Sequence, residues 1–353
     1  MKKYAFIFFV LVFSRTAAAY TRITASSGQN PKWSSMPVSY WINEKGLSRI
    51  SNGSDFAAVQ ASFRTWESIQ TASIQFAYKG TTPVGTVGHD GLNVVTFTDT
   101  SVPLGSSTIA ATFSFFKSEN GQLLFDESDI AFNPSLDFST SGELGKFDIQ
   151  SVLTHEIGHL LGLDHAGMVS SVMVPFGSPS QLDQRTLAYD DIAGVMEIYP
   201  NPSTMPATGQ IRGVIQADIT PVFGAHVVAV DSSGTPVVST LSQRDGGYIL
   251  RFLPPGTYRV YSEPLDGPVT PQNIGGGTNG FYASIKTNFG TTYFGNVSTL
   301  AEATGVDVGP NIVSNADIQT LPASVTGLNL TRPAFGIRIP RGPAGTLNGI
   351  GGV

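Results

Sequence analysis

The chain has 353 residues, 41% of them hydrophobic, with 20 Lys+Arg against 26 Asp+Glu and no Cys. That length points to two domains, and a charged fraction of 13%, against roughly 25% in a typical soluble domain, excludes bulk disorder. A net charge of -6 leaves no basic field to hold nucleic acid or an anionic membrane, and without Cys there are no disulfides, thiolate metal sites or Cys nucleophiles.

Met1-Lys2-Lys3, the apolar run Tyr4 to Phe13 and Ala17-Ala18-Ala19 read together as a Sec-type signal peptide over 1–19. Cleavage is expected after Ala19, giving a secreted chain that starts at Tyr20. The apolar run is too short to span a bilayer, which takes roughly 20 such residues. No later segment is apolar for long enough, so no membrane span is expected. Val38 to Ile42 then reads as a strand. Phe56, Val59, Phe63, Trp66 and Ile69 form an apolar face of helical period, with Asn52 to Asp55 upstream as caps. Strand-like stretches follow at Ser73 to Tyr78, Leu92 to Phe97, Thr108 to Phe116 and Ile130 to Phe132. A second helical face, Ile149, Val152, Leu153, Ile157, Leu160 and Leu161, is ended by Gly162. A third, Ile192, Val195, Met196 and Tyr199, is stopped by Pro200. The Pro-rich stretch 201–208 reads as a linker. Beyond it, short β-rich runs alternate with Gly/Pro turns over 209–320, and 321–353 reads as a Gly/Pro-rich tail.

Residues 155–165 read His-Glu-Ile-Gly-His-Leu-Leu-Gly-Leu-Asp-His. On a helix, His155 and His159 project from one face and can share a metal. Glu156, about 100° further round, is placed to act as a general base without being a ligand. Gly162 can turn the chain back through a left-handed conformation, which lets His165 reach the same ion. Three His ligands leave a fourth position open, the arrangement of catalytic rather than structural zinc. A bare H-E-x-x-H arises by chance on amphipathic helices. The longer pattern, which takes three of the five His in the chain, is far more specific.

With Met173 in Ser171-Val172-Met173-Val174-Pro175, eight residues past His165, this motif resembles the metzincin metallopeptidases and, within them, the matrixins. Leu187 to Gly194 resembles the start of the matrixin C-terminal helix. Trp33, Val38 to Ile42 and the Phe63-x-x-Trp66 helix resemble that family's first strand and first helix. The resemblance implies an α+β metzincin-type domain over 20–200, a twisted mixed sheet with three long helices, holding one catalytic zinc on His155, His159 and His165. It implies that Glu156 takes and returns the proton in peptide hydrolysis, with protein or peptide substrates as partners. Met173 and Pro175 would form the Met-turn beneath the metal. Asp190 and Asp191 would tie the last helix to the Met-turn backbone and to the chain's N-terminal region. The specificity pocket would lie behind the zinc, with Phe176 and Gln181 lining it.

Where matrixins carry His ligands for a second, structural zinc, the corresponding strands here have Ala111 and Ala131. Outside the motif there are only His89 and His226, so no second His-built zinc is expected. Asp126, Glu127 and Asp129 offer oxygen ligands for calcium, or are simply solvated turn residues. Family zymogens plug the zinc with a Cys or an Asp of a pro-segment. Tyr20 to Asn43 contains neither, and the expectation is export without a prodomain.

Gly209 to Val214, Pro221-x-x-Gly224, Asp245-Gly246-Gly247-Tyr248 and Pro254-Pro255-Gly256 resemble the carboxypeptidase regulatory-like, transthyretin/prealbumin-like all-β sandwich. That resemblance implies a module for surface or matrix attachment, or a spacer. Against a secreted zinc endopeptidase stands a reading from another class, a non-catalytic extracellular adhesion protein with a structural zinc site. Glu156 separates the two, because a purely structural site needs no general base.

Overall fold

A computed structural model describes residues 20–275 and 280–323, together with the backbone of 348–349. The signal peptide expected at 1–19 and most of the tail expected at 321–353 lie outside the described residues. Strands β1 (Val38–Asn43), β2 (Phe76–Thr82), β3 (Val94–Thr96), β4 (Ala110–Glu119) and β5 (Gln122–Phe132) form one mixed sheet in the order β2-β1-β3-β5-β4. All neighbours are parallel except β4, which closes one edge antiparallel to β5. Parallel neighbours need a long crossover, and helix α1 (Ser54–Glu67) supplies the one between β1 and β2. Its apolar face buries Val59, Phe63 and Trp66, and Phe63 stacks on Tyr40 of β1 with 3.7 Å between ring centroids.

Two local expectations change. Helix α1 starts from Gly53 at φ 74° with no side-chain cap, a backbone conformation that favours glycine. Asn52 Oδ1 accepts the Ser54 N–H, and Asp55 Oδ2 accepts the Leu47 N–H outside the helix. Strand β5 begins at Gln122 instead of Ile130. Asn120 and Gly121, at φ 50° and 75°, form the two-residue turn that pairs it with β4. Asp126, Glu127 and Asp129 therefore lie on a strand, with Asp126 at the position where the ladder slips by one residue.

Helix α2 (Ile149–Leu160) runs beneath this sheet and helix α3 (Tyr189–Ile198) closes the first half. Two indoles from the N-terminal part of the chain fix α2. Trp66 Nε1–H donates to Thr154 O at 2.9 Å, and Trp33 Nε1–H donates to Leu160 O at 2.9 Å. The stretch read as a linker begins clipped to the first half, since Asn201 Nδ2 and Thr204 Oγ1 both donate to Gln70 O.

Beyond it, Gly209–Ala217 is the centre of a second sheet with Thr220–Pro221, Gly247–Leu253, Val313–Asn315 and Ile318–Gln319. A third sheet joins Pro236–Leu241, His226–Val230, Gly256–Glu263, Thr292–Tyr293 and Gly305–Val308. Ile211, Ile215 and Leu250 of one sheet meet Val227, Ala229 and Val260 of the other in a common core, which also takes in Tyr20 and Ala193 of the first half. At the end of the chain, the backbone of Asn348–Gly349 pairs antiparallel with Phe176–Gly177. Among the described residues no helix is long and apolar enough to cross a membrane.

Candidate metal centre

Helix α2 is anchored at its start by Asp148, whose Oδ2 accepts the Ser151 N–H at 2.9 Å. Side-chain capping of this kind satisfies one of the orphan donors of the first turn. Arg185 grips the same carboxylate with two nitrogens, at 2.8 and 2.5 Å. At the other end Gly162, at φ 102°, terminates the helix. Its N–H donates to His159 O and that of Leu163 to Gly158 O, the paired closing bonds that a left-handed glycine permits. The chain thereby reverses and delivers His165 beside His155 and His159.

All three imidazoles are buried, and their ligand-capable nitrogens lie within 4.8 Å of one another. Each ring has its Nδ1 against a backbone carbonyl. His155 faces Val172 O at 2.8 Å, His159 faces Leu163 O at 2.9 Å, and His165 faces Asn273 O at 2.5 Å. A carbonyl oxygen can only accept, so each Nδ1 carries the hydrogen. Burial and the neighbouring imidazoles push His155 well below its ordinary value and His159 down to about 3, so neither ring takes a second proton. Their Nε2 atoms, 3.1 Å apart, therefore point bare lone pairs at each other. Such a pair is repulsive until a cation sits between them, and three neutral imidazoles are a donor set that suits zinc.

Glu156 is fully buried next to this group. Its Oε2 accepts the Thr112 hydroxyl at 2.7 Å, while its Oε1 has no protein partner. Burial pushes the carboxyl up to about 8 against the lowering effect of Thr112. Thr112 comes from edge strand β4, 44 residues earlier, and no feature of the sequence marks it.

Within the motif, Met173 fills the space left by Gly158. A Cβ on Gly158 would overlap the Met173 sulfur and stand 3.2 Å from Trp66 Cζ2. The turn that carries Met173 and the buried Pro175 is held by Asp191. That carboxylate accepts Ser171 Oγ at 2.5 Å, Val172 N at 2.9 Å and Ala188 N at 2.8 Å. Asp190 departs from the expected tie to the N-terminal region. Its Oδ1 accepts the Ser239 N–H at 2.6 Å, from the second half of the chain.

The matrixin family model matches residues 32–200. Over those residues the chain is a matrixin-like metzincin. Among curated proteins, it is similar to Metalloendoproteinase 1-MMP of Arabidopsis thaliana, 32% identical over 195 residues, which cover 54% of this chain and 50% of that protein. Metalloendoproteinase 1 of Glycine max is 38% identical over 84 residues, 24% of this chain and 27% of the relative. Matrilysin of Rattus norvegicus is 40% identical over 63 residues, 18% and 24% respectively. The chain thus spans half or less of the length of these relatives.

Within the matrixin domain, Phe176 and Gln181 both line one cavity of about 170 Å³. Val172, Gln184 and Pro268 line it too, and Gln184 Nε2 donates to Phe176 O at 3.2 Å. Pro268 lies outside the residues matched by the family model. The three acidic residues considered for calcium have other partners. Asp126 pairs with Lys117 and His89, each at 2.9 Å. Glu127 accepts the Asp90 and Gly91 amides, and Asp129 accepts those of Gly88 and Val94. They pin the 87–94 loop, and among the described residues the metal-capable group is His155, His159 and His165. Ala111 and Ala131 face one another across the β4–β5 ladder.

Proposed function

We propose that the chain is a secreted zinc-dependent endopeptidase, in which His155, His159 and His165 hold one zinc and Glu156 is the general base and acid. The observation that carries this reading is the gathering of three buried imidazoles, ligand atoms within 4.8 Å of one another, with the buried Glu156 next to His155 in the chain and its Oε1 without a protein partner. Zinc supplies there a Lewis acid that polarises a peptide carbonyl and makes water a better nucleophile. The chain's own groups do the rest. The carbonyls of Val172, Leu163 and Asn273 set the tautomers and orient the rings. Glu156 Oε1 takes the proton from the attacking water, holds it, and passes it to the leaving amine. A carboxyl whose burial raises its proton affinity suits that holding role. Thr112 keeps Oε2 occupied, so that Oε1 is the atom that works. Asp191 fixes the turn of Met173, and through the Val172 carbonyl of that turn the ring of His155.

The cavity beside Phe176 and Gln181 is read as the specificity pocket. The two-sheet half is read as a carboxypeptidase regulatory-like sandwich over 209–320, suited to surface or matrix attachment. The adhesion reading, with a closed structural site, gives no role to a buried carboxylate that keeps one oxygen open.

The test is cleavage of a quenched peptide library by residues 20–353, with and without a zinc chelator, beside Glu156→Gln. Cleavage abolished by chelation, and lowered at least about 10²-fold in a zinc-loaded Glu156→Gln, supports the assignment. Undiminished cleavage by that variant overturns the role of Glu156.

A further inference from the structure

Two of the three imidazoles rest on carbonyls of the matrixin domain itself, Val172 and Leu163. The third does not. His165 Nδ1–H donates to Asn273 O, 108 residues away and beyond the matched residues 32–200. The contact is one of several that bring residues 265–275, with Tyr282, onto this face. Asp164, the residue before the ligand, accepts the Gly275 amide. Val174, just past Met173, packs with Leu265, Val269, Ile274 and Tyr282 in one buried cluster. Gly167, two residues after the ligand, lies so close to the His226 ring that a Cβ would stand 2.7 Å from it.

The carbonyl that meets His165 is itself held in direction. Pro271–Asn273 is a single 3₁₀ turn. Asn273 Oδ1 accepts both the N–H and the hydroxyl of Thr270, each at 2.9 Å. The side chain thus locks the short turn, and the locked turn aims the backbone carbonyl at the imidazole. Gly275 follows at φ 59°, where Tyr282 covers it.

We propose that the Thr270–Gly275 turn is a positioning element of the metal centre, with Asn273 orienting the ligand His165 from the second half of the chain. This rests on the zinc reading above. A carbonyl partner fixes the tautomer and angle of a ligating imidazole, and loss of such partners typically lowers metal affinity by about 10- to 100-fold. The second half is on this account part of the metal centre, and more than a spacer.

The experiment uses the full mature chain with Asn273→Ala, which removes the lock, and Asn273→Asp, which keeps an acceptor oxygen for Thr270. Zinc affinity is read by competition with a chelator of known strength, and thermal unfolding is followed separately on the metal-free proteins. The expected result is a zinc dissociation constant raised about 10- to 100-fold in Asn273→Ala, near its original value in Asn273→Asp, with the metal-free midpoint of both unchanged. Unaltered zinc affinity in Asn273→Ala overturns the proposal. So does a fall in affinity matched by an equal loss of metal-free stability in both variants, which marks the turn as packing alone. Failure of the unaltered chain to bind zinc sinks the zinc reading itself and the proposal with it, whereas zinc binding that ignores Asn273 sinks only the proposal.

Discussion

The Thr112 hydroxyl donates to one oxygen of the buried Glu156 carboxylate at 2.7 Å and leaves the other oxygen without a protein partner. A hydroxyl from an edge strand, which also lies 3.0 Å from Glu156 O, thus sets which carboxylate oxygen the proposed base keeps open. Thr112→Val keeps the shape and removes the donor. A hydrogen bond to a charged group contributes about 1.5–3 kcal/mol, so kcat is expected to fall roughly tenfold or more while KM and zinc stoichiometry hold. Steady-state kinetics on a quenched peptide, with metal analysis, checks this. An unchanged kcat removes Thr112 from the site.

Gly158 occupies a variable position of the His-Glu motif, yet its space belongs to Met173 and Trp66. Gly158→Ala gains helix propensity and still forces the Met173 side chain to move. Overpacking of this kind costs about 1–3 kcal/mol. Chemical denaturation of the metal-free variant is expected to show that loss, with zinc affinity falling as the Met-turn shifts. A more stable Gly158→Ala would contradict the packing.

Asp148 is fully buried and joins the first turn of α2 to Arg185. Removing one partner of such a pair strands the other and costs about 3–5 kcal/mol when both are buried. Arg185 is 28% exposed, so Asp148→Ala is expected near the low end, roughly 3 kcal/mol including the cap. Urea unfolding midpoints of Asp148→Ala and Arg185→Ala measure it. Equal stability of all three proteins would discount the pair.

Asp129 carries a pH signature. Burial, with Glu127 and Asp90 nearby, pushes its carboxyl up to about 7 in spite of two amide hydrogen bonds. The unfolded chain ionises this group near the usual value of about 3.9. Between those values the folded state binds more protons, so stability falls as pH rises. The slope is at most about 1.4 kcal/mol per pH unit from this one group, and it levels off above about 7. Denaturant unfolding at a series of pH values is expected to show the decline in the unaltered chain and a flatter profile in Asp129→Asn. An unchanged slope in the variant would place the titration elsewhere.

How much of this was readable in the sequence follows from how far apart the interacting residues lie. The spacing of His155, Glu156 and His159, the turn at Gly162 and the return to His165 are all settled within eleven consecutive residues, so local geometry sufficed. The apolar faces of α1 and α3 were legible for the same reason. Strand β5 was readable and read too short, because Asn120-Gly121 is a hairpin signal in its own right. Asp126, Glu127 and Asp129 follow that turn on the strand itself and are not turn residues. Thr112 and Asn273 reach the site from 44 and 108 residues away, through contacts that only the assembled fold brings about. The same holds for Asp190, whose partner Ser239 lies in a different sheet.

Asp190 and Asp191 are neighbours on one helix turn and hold opposite parts of the molecule. Asp191 grips the loop whose Val172 carbonyl meets His155, Asp190 the 236–241 strand, and the adjacent Tyr189 hydroxyl donates to Phe252 O at 2.6 Å. Helix α3 is therefore a rivet through both halves rather than the last piece of one. Prying the β-sheets away would tug on the loop that holds His155 through two consecutive peptide units. In heat or denaturant the chain should give way as one cooperative body, and evolutionary shuffling of its C-terminal half would not leave the N-terminal half untouched.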